Sequence, residues 1–392
     1  MPTHLSPRAT SNELSLFEAV ANSKANARAK GLDLISLDVG SPDLPPAKHI
    51  VDALNRESHK VDRHGYNSVV KSKPLRDAFA AFYEKRFGVS LNPDTEIAPL
   101  LGANEGIHHL SAMLLDSGDV ALVPDPGFTS YAACASMAGG DNYFVPLTPE
   151  NNWLPDLYAI PKNVLQRAKL LWLNYPNNPT ASIATLDFFE RAAAFCRAND
   201  IVLCHDNAYS ENTFDEFVAP SLMQARGAKE NCVELFTLSK AFNMAGYRVG
   251  AMVGKREIVE AMVNWKSNAD SGHSLLIQAA GIEALLGDQT WVATQQELVY
   301  KRRRNVCVSA LCAAGIEAVE PRATFYVWAK IPNGETSSLS WASRLLEQTG
   351  VAIMPGVCFG KQGEGWFRVS LVAPEARIAE AMERIQSTAA RN

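Results

Sequence analysis

Thr237-Leu238-Ser239-Lys240, followed closely by Asn243-Met244-Ala245-Gly246-Tyr247-Arg248, closes an apolar run that begins at Val233. Two hydroxyls and an arginine bracket one lysine at what reads as the end of a buried strand. Outward from this stretch the same pattern repeats. Val120 to Pro124, Tyr143 to Leu147, Leu170 to Asn174, Ile201 to Asp206 and Arg248 to Val253 are also short and apolar, each followed by a turn-rich or helix-starting segment. Such runs alternate with helical segments from about residue 100 to about residue 290, which predicts crossover units on a largely parallel sheet, an α/β architecture. Ligands of open α/β sheets gather at the carboxyl ends of strands, so Asn174, Asp206 and Thr237 to Lys240 should face one crevice.

The charged stretch from Gln289 to Gly315 reads as a helix leaving that layer. Beyond it, Phe325 to Ile331, Val351 to Pro355 and Trp366 to Leu371 look like strands of a smaller α+β unit, with which the first forty-odd residues should pack. The expected division is a large domain over residues 46–288 and a small one made of residues 1–45 and 289–392.

Composition sets the outer limits. A chain of 392 residues, 47% hydrophobic and 20% charged, can bury an ample core and suits two domains. A net charge of -5 gives no reason to expect nucleic acid. The one basic run, Lys301-Arg302-Arg303-Arg304, reads as a solvated helix face. Cys134, Cys196, Cys204, Cys232, Cys307, Cys312 and Cys358 are scattered, without CxxC spacing or clustered histidines, and suit reduced thiols more than a metal site. Met1 to Ser15 lacks the apolar core of a signal peptide, and no stretch approaches the roughly 18 apolar residues of a membrane span. The expectation is a cytoplasmic protein with no membrane partner.

The chemistry lies in what surrounds Lys240. Alone, a lysine after a strand is ordinarily a surface residue. One that is desolvated, or near another cation, loses its proton more readily, as imine formation with an aldehyde cofactor requires. Asn174-Tyr175-Pro176-Asn177-Asn178-Pro179-Thr180 and His205-Asp206-Asn207-Ala208-Tyr209 each follow a predicted strand. Separately they could be turn formers. Together with Lys240 they supply a carboxylate for a pyridine nitrogen and donors for a phenolic oxygen, the set that tunes a pyridoxal phosphate cofactor.

From Gly40 to Arg368 the order and spacing of these motifs resemble the class I aminotransferases that include aspartate aminotransferase, enzymes of fold type I that use pyridoxal 5′-phosphate (PLP). The resemblance implies an internal aldimine on Lys240, with Asp206 partnering the pyridine nitrogen. It also implies that Asn178 and Tyr209 hydrogen-bond the ring hydroxyl oxygen and that Phe128, in Pro126-Gly127-Phe128-Thr129-Ser130-Tyr131, stacks on the ring. Gly102-Ala103-Asn104-Glu105-Gly106 resembles the phosphate turn at a helix start, where Ala103 and Asn104 would meet the phosphate with Thr237 and Arg248. Tyr66 resembles a tyrosine that reaches the phosphate from a neighbouring subunit, which implies at least a homodimer. Arg368, in Trp366-Phe367-Arg368-Val369-Ser370, resembles the arginine that grips the substrate α-carboxylate, assisted by Gly40 and Asn178.

The resemblance further implies ping-pong amino transfer from a small α-amino acid to a 2-oxo acid, with no metal. The pattern departs at Ala181, where glycine is usual, at Asn207, where glutamate is common, and at Ser72-Lys73-Pro74. Lys266 to Gly272 and Glu211 are similar to the branch containing LL-diaminopimelate and related aminotransferases. Lys266 could meet a distal carboxylate and Glu211 a distal amine or arginine, although solvated charges are the commoner case. A PLP-dependent carbon-sulfur β-lyase would keep the same residues, and so would a non-catalytic sensor on the same fold, which commonly carries an added DNA-binding segment.

Overall fold

In the computed structural model, which describes residues 16–68 and 71–389, the apolar runs do form the strands of one central sheet. Twelve strands are numbered along the described chain. β1 is Ile35–Ser36, β2 Ile97–Leu100, β3 Val120–Asp125, β4 Asp141–Pro146, β5 Ala168–Leu173 and β6 Val202–Asn207. β7 is Cys232–Thr237, β8 Gly250–Gly254, β9 Tyr326–Lys330, β10 Val351–Ala352, β11 Met354–Pro355 and β12 Trp366–Ser370. Seven of them lie in the order β2-β8-β7-β6-β5-β3-β4. β8 is antiparallel to both its neighbours, and the remaining pairings are parallel.

Strands covered on both faces have no use for a polar face, which is why β3, β5, β6 and β7 read as near-continuous apolar runs. Successive side chains still divide between two cores. Leu171, Leu173 and Phe236 enter one apolar cluster, while Leu170, Trp172, Val233 and Leu235 enter another. Edge strand β4 is largely exposed, in keeping with its polar Asp141 and Asn142.

Two details position the crevice. After β7 the chain folds back directly as β8, with Thr237 opposite Gly250 and the Leu238 amide donating to the Val249 carbonyl. The intervening loop therefore holds Lys240 at the carboxyl end of β7. Strand β2, which the sequence pattern did not single out, pairs with β8 and leads through Gly102 into the helix Ala103–Leu114.

A second sheet runs β11-β12-β9, all antiparallel, and β1 pairs with β10 in parallel. The expected single strand Val351 to Pro355 is thus two short strands with different partners. Buried Ile35, Leu37, Phe325, Val327, Phe367, Val369 and Ile378 share one apolar cluster with Tyr209 and Phe214. Residues 1–15 of the expected small domain lie outside the described residues. Among the described residues no helix is long and apolar enough to cross a membrane.

The basic run departs from expectation. It lies in the helix Lys301–Ala313, where Arg302 is exposed but Arg303 and Arg304 are buried. Arg303 forks onto Asp43 at 2.8 and 2.9 Å and donates to the Leu371 carbonyl, and Arg304 pairs with Asp215 and Glu320. A helix turns about 100° per residue, so a run of like charges cannot share one face, and a guanidinium can enter the interior if its planar fork finds carboxylates.

Candidate active site

A cavity of about 560 Å³ opens at the carboxyl ends of β5, β6 and β7. Asn174, Asn178, Asp206, Tyr209, Thr237, Lys240, Arg248, Phe128, Ala103, Asn104, Gly40 and Arg368 all line it. Motifs spread over more than three hundred residues of chain therefore converge on one site. Tyr66 does not: it is 87% exposed and is not among the lining residues.

The Lys240 ammonium donates to the Gly40 carbonyl at 2.8 Å and lies 5.9 Å from the centroid of the Tyr209 ring. Arg368 is buried against the faces of Tyr326 and Phe359, at 4.2 and 4.8 Å. Its two terminal nitrogens donate to Asn178 Oδ1 and to the Asp38 carbonyl, both at 2.7 Å. The Asn178 amide nitrogen accordingly remains as a donor. The Asn178 backbone N–H is held by Asn174 Oδ1 at 2.8 Å, and the Asn174 side chain in turn donates to the Asp206 carbonyl at 2.7 Å. One asparagine thus ties the end of β5 to the end of β6.

Asp206 is buried at the wall of the cavity. The Tyr131 hydroxyl donates to its Oδ2 at 2.7 Å, whereas Oδ1 is buried with no partner among the described residues. Burial pushes the Asp206 carboxyl above its usual range, although the Tyr131 hydrogen bond, His205 and Lys240 all oppose that rise. Burial also holds Tyr131 and Tyr209 well above the ordinary phenol range. Beneath Asp206, Glu234 accepts from Tyr83, Ser221, His205, Asn207 and the Leu222 N–H. Burial alone would raise the Glu234 carboxyl, but His205, Ser221 and Tyr83 outweigh it and bring it down.

PLP fits the residues present. A buried carboxylate oxygen without a donor is costly unless something donates to it, and a protonated ring nitrogen would. The phosphate end has matching features. Gly102 adopts φ 83° immediately before the helix Ala103–Leu114, and a β-carbon there would strike the Arg248 guanidinium. Glycine alone lets the helix start and the arginine meet, and orphan backbone N–H groups at a helix start favour phosphate. Thr237 and Ser239 add hydroxyls 2.9 Å apart.

Several contributors escape local inspection of the sequence. Tyr131 lies three residues, one helical turn, after Phe128, which was the available signal, and it stacks on Trp172 at 5.0 Å and 12°. Tyr326, whose hydroxyl meets that of Tyr209 at 3.1 Å, and the ion pair of Lys24 with Asp38 carried no such mark. Lys266 and Glu211 are neither solvated nor in the crevice. Lys266 pairs with Glu105 and Asp270, and Glu211 with Arg86, because half-buried charges on facing elements neutralise one another.

Tyr131→Phe is expected to raise the Asp206 carboxyl further, so the acid limb of the activity profile should move to higher pH. The lost hydrogen bond to a charged group, worth about 1.5–3 kcal/mol, should weaken cofactor binding roughly tenfold or more. Titration of cofactor-free protein with PLP measures the second effect.

Residues 33–385 match the family described as aminotransferase class I and II. The chain is 45% identical to an LL-diaminopimelate aminotransferase of Dehalococcoides mccartyi, over 94% of this chain and 95% of that one. It is 44% identical to an LL-diaminopimelate aminotransferase of Moorella thermoacetica, over 95% of each. Among solved structures, substrate-bound BacF of Bacillus subtilis superposes with a TM-score of 0.94 at 36% identity, covering 98% of both chains. With a family match over most of its length and relatives well above 40% identity, the chain belongs to the class I and II aminotransferases and is a PLP-dependent transaminase of fold type I.

Proposed function

We propose that this transaminase takes LL-diaminopimelate as amino donor and passes the amino group to a 2-oxo acid by a ping-pong sequence, in the cytoplasm and as a homodimer. The observation that carries the chemistry is one crevice holding the Lys240 amine, an unpartnered buried oxygen of Asp206 and the forked Arg368. The names and 44–45% identity of the relatives support the substrate.

PLP, when bound, supplies an electron sink that stabilises negative charge at the substrate Cα. The chain's residues do the rest. Asp206 Oδ1 would accept from the ring nitrogen and keep it protonated. The Asn178 amide and the Tyr209 hydroxyl would donate to the ring hydroxyl oxygen, and Phe128 would hold a ring face. The N–H groups of Ala103 and Asn104, the Thr237 hydroxyl and the Arg248 guanidinium would receive the phosphate. Arg368 takes the α-carboxylate in a forked pair, with Gly40 and Asn178 beside it, and so fixes Cα within reach of Lys240. With PLP bound, the Lys240 amine would be the group placed to take and return the proton at the substrate Cα as general base.

The division at residues 46–288, with residues 1–45 and 289–392 as a smaller domain, puts the reactive lysine in one unit and Arg368 in the other. An exposed Tyr66 with no role in its own crevice supports a dimer in which it serves the neighbouring site. Seven unpaired cysteines suit a reducing compartment.

Arg368→Ala tests the assignment of the carboxylate. Two charge-assisted hydrogen bonds are lost, so kcat/KM for the amino donor should fall roughly 10²- to 10³-fold, mostly through KM. Steady-state kinetics with LL-diaminopimelate and a panel of 2-oxo acids measures it. No turnover of LL-diaminopimelate by the wild type with any acceptor would sink the substrate assignment.

A further inference from the structure

Six charged side chains line the crevice: Lys24, Asp38, Asp206, Lys240, Arg248 and Arg368. Phosphate, ring nitrogen, α-carboxylate and proton transfer use four of them. Lys24 and Asp38 are left over. The Lys24 ammonium lies 2.8 and 2.9 Å from the two Asp38 oxygens, and neither side chain has another ion pair among the described residues. The pair is largely withdrawn from water, at 17% and 6% side-chain exposure, yet it lies at the wall of the cavity.

Its place in the backbone is equally specific. The Asp38 carbonyl accepts from Arg368 and the Gly40 carbonyl from Lys240, so three consecutive residues link the pair to both reacting ends of the site. Lys24 comes from the helix Leu16–Ala29, whose Val20 packs with Trp153, Trp328, Met354, Phe359 and Trp366. Two of these, Met354 and Phe359, also line the crevice. The apolar contact seats the helix beside the crevice.

We propose that Lys24 and Asp38 are the specificity pair for the charged far end of the amino-acid substrate, Lys24 receiving a distal carboxylate and Asp38 a distal ammonium. This rests on the proposed transamination of LL-diaminopimelate, whose far end carries both charges. With no such substrate bound, the two side chains neutralise each other and avoid the cost of an unpaired charge out of water. A zwitterionic far end replaces that single pair by an alternating set of four charges. An uncharged side chain offers nothing in exchange and leaves the pair closed, so discrimination arises without any steric clash.

The experiment compares the half-reaction of the PLP-loaded enzyme with LL-diaminopimelate, L-glutamate and L-alanine in wild type, Lys24→Met, Lys24→Arg and Asp38→Asn, alongside thermal melts. Lys24→Met should lower the ratio of kcat/KM for LL-diaminopimelate over alanine at least about tenfold, through the KM of the former, and Lys24→Arg should recover most of it. Asp38→Asn should lower the same ratio but should not lower that of glutamate over alanine, because Lys24 is then freed for the glutamate carboxylate. An equal loss for all three donors, or no loss, would overturn the proposal, the first marking a purely structural contact. If the wild type does not react with LL-diaminopimelate, the substrate assignment fails. The ratio for glutamate over alanine in Lys24→Met then still decides the role of Lys24: a fall supports it and an unchanged ratio rejects it.

Discussion

Replacing Lys240 by alanine should lower amino transfer by at least about 10⁴-fold while leaving the fold intact. The large loss follows from the two functions proposed for this side chain, the covalent hold on the cofactor and the movement of the Cα proton, of which the second alone would be worth about 10²–10⁴. The fold should survive because Lys240 is only half-buried and, among the described residues, its one hydrogen bond is to the Gly40 carbonyl. The melting temperature should stay within a few degrees of wild type. Lys240→Arg sharpens the test. Arginine can keep the positive charge and reach Gly40, but its guanidinium does not give up a proton near neutral pH, so it should be as inactive as alanine. Recovery of substantial activity by arginine would mean that the charge of Lys240, and not its proton chemistry, is what the site uses.

Asp206→Asn should move stability and activity in opposite directions. In the cofactor-free protein, burial raises the Asp206 carboxyl above its unfolded value. A carboxyl so raised contributes its stability in full only below the unfolded pKa, and that contribution is lost as the pH climbs through the folded one. At pH 7 the raised carboxyl therefore costs the empty protein stability. Asparagine can still accept from Tyr131 and removes the charge, so the cofactor-free variant should melt about 2 °C higher than cofactor-free wild type at pH 7. The gap should narrow by pH 4 and vanish below about pH 3, where aspartate is protonated in both states. With PLP the order reverses, because the partner of the ring nitrogen is gone. Cofactor affinity should fall, and turnover should drop at least about 10²-fold. Differential scanning calorimetry with and without PLP, at pH 4 and pH 7, reads both halves. A variant less stable than wild type in the empty form would contradict this role of Asp206.

The parts of the site legible in the sequence are those whose signal is local. Asn174, Asp206 and Lys240 stand at or just past the ends of short apolar runs, and strand ends are where an α/β sheet collects its ligands. Asn178, Tyr209 and Arg248 come within a few residues of them, and the Pro-Gly before Phe128 announces a loop. Contacts between distant segments carried no such mark. The Gly40–Lys240 bond spans 200 residues and Arg368–Asn178 spans 190, and nothing in the spacing of either motif points to its partner. Tyr131 was visible only as a neighbour of Phe128.

The charged residues misread from sequence failed for a common reason. Arg303, Arg304, Lys266 and Glu211 all look like solvated charges, but each meets an opposite charge contributed by a remote element. Burial of a paired charge depends on tertiary placement, which charge patterning along one helix does not contain. The antiparallel β8 and the early strand β2 were hidden similarly, since apolar runs give strand existence but not strand direction.

The most direct test of amino transfer at Lys240 is an absorbance spectrum of the PLP-loaded enzyme, recorded before and after LL-diaminopimelate is added with no 2-oxo acid present. The visible cofactor band should shift to the pyridoxamine form, one equivalent of oxo acid should appear per active site, and a 2-oxo acid should then restore the original spectrum. Continuous release of ammonia without an acceptor, or pyruvate accumulating from a β-substituted amino acid while no donor shifts the band, would contradict amino transfer and point to elimination.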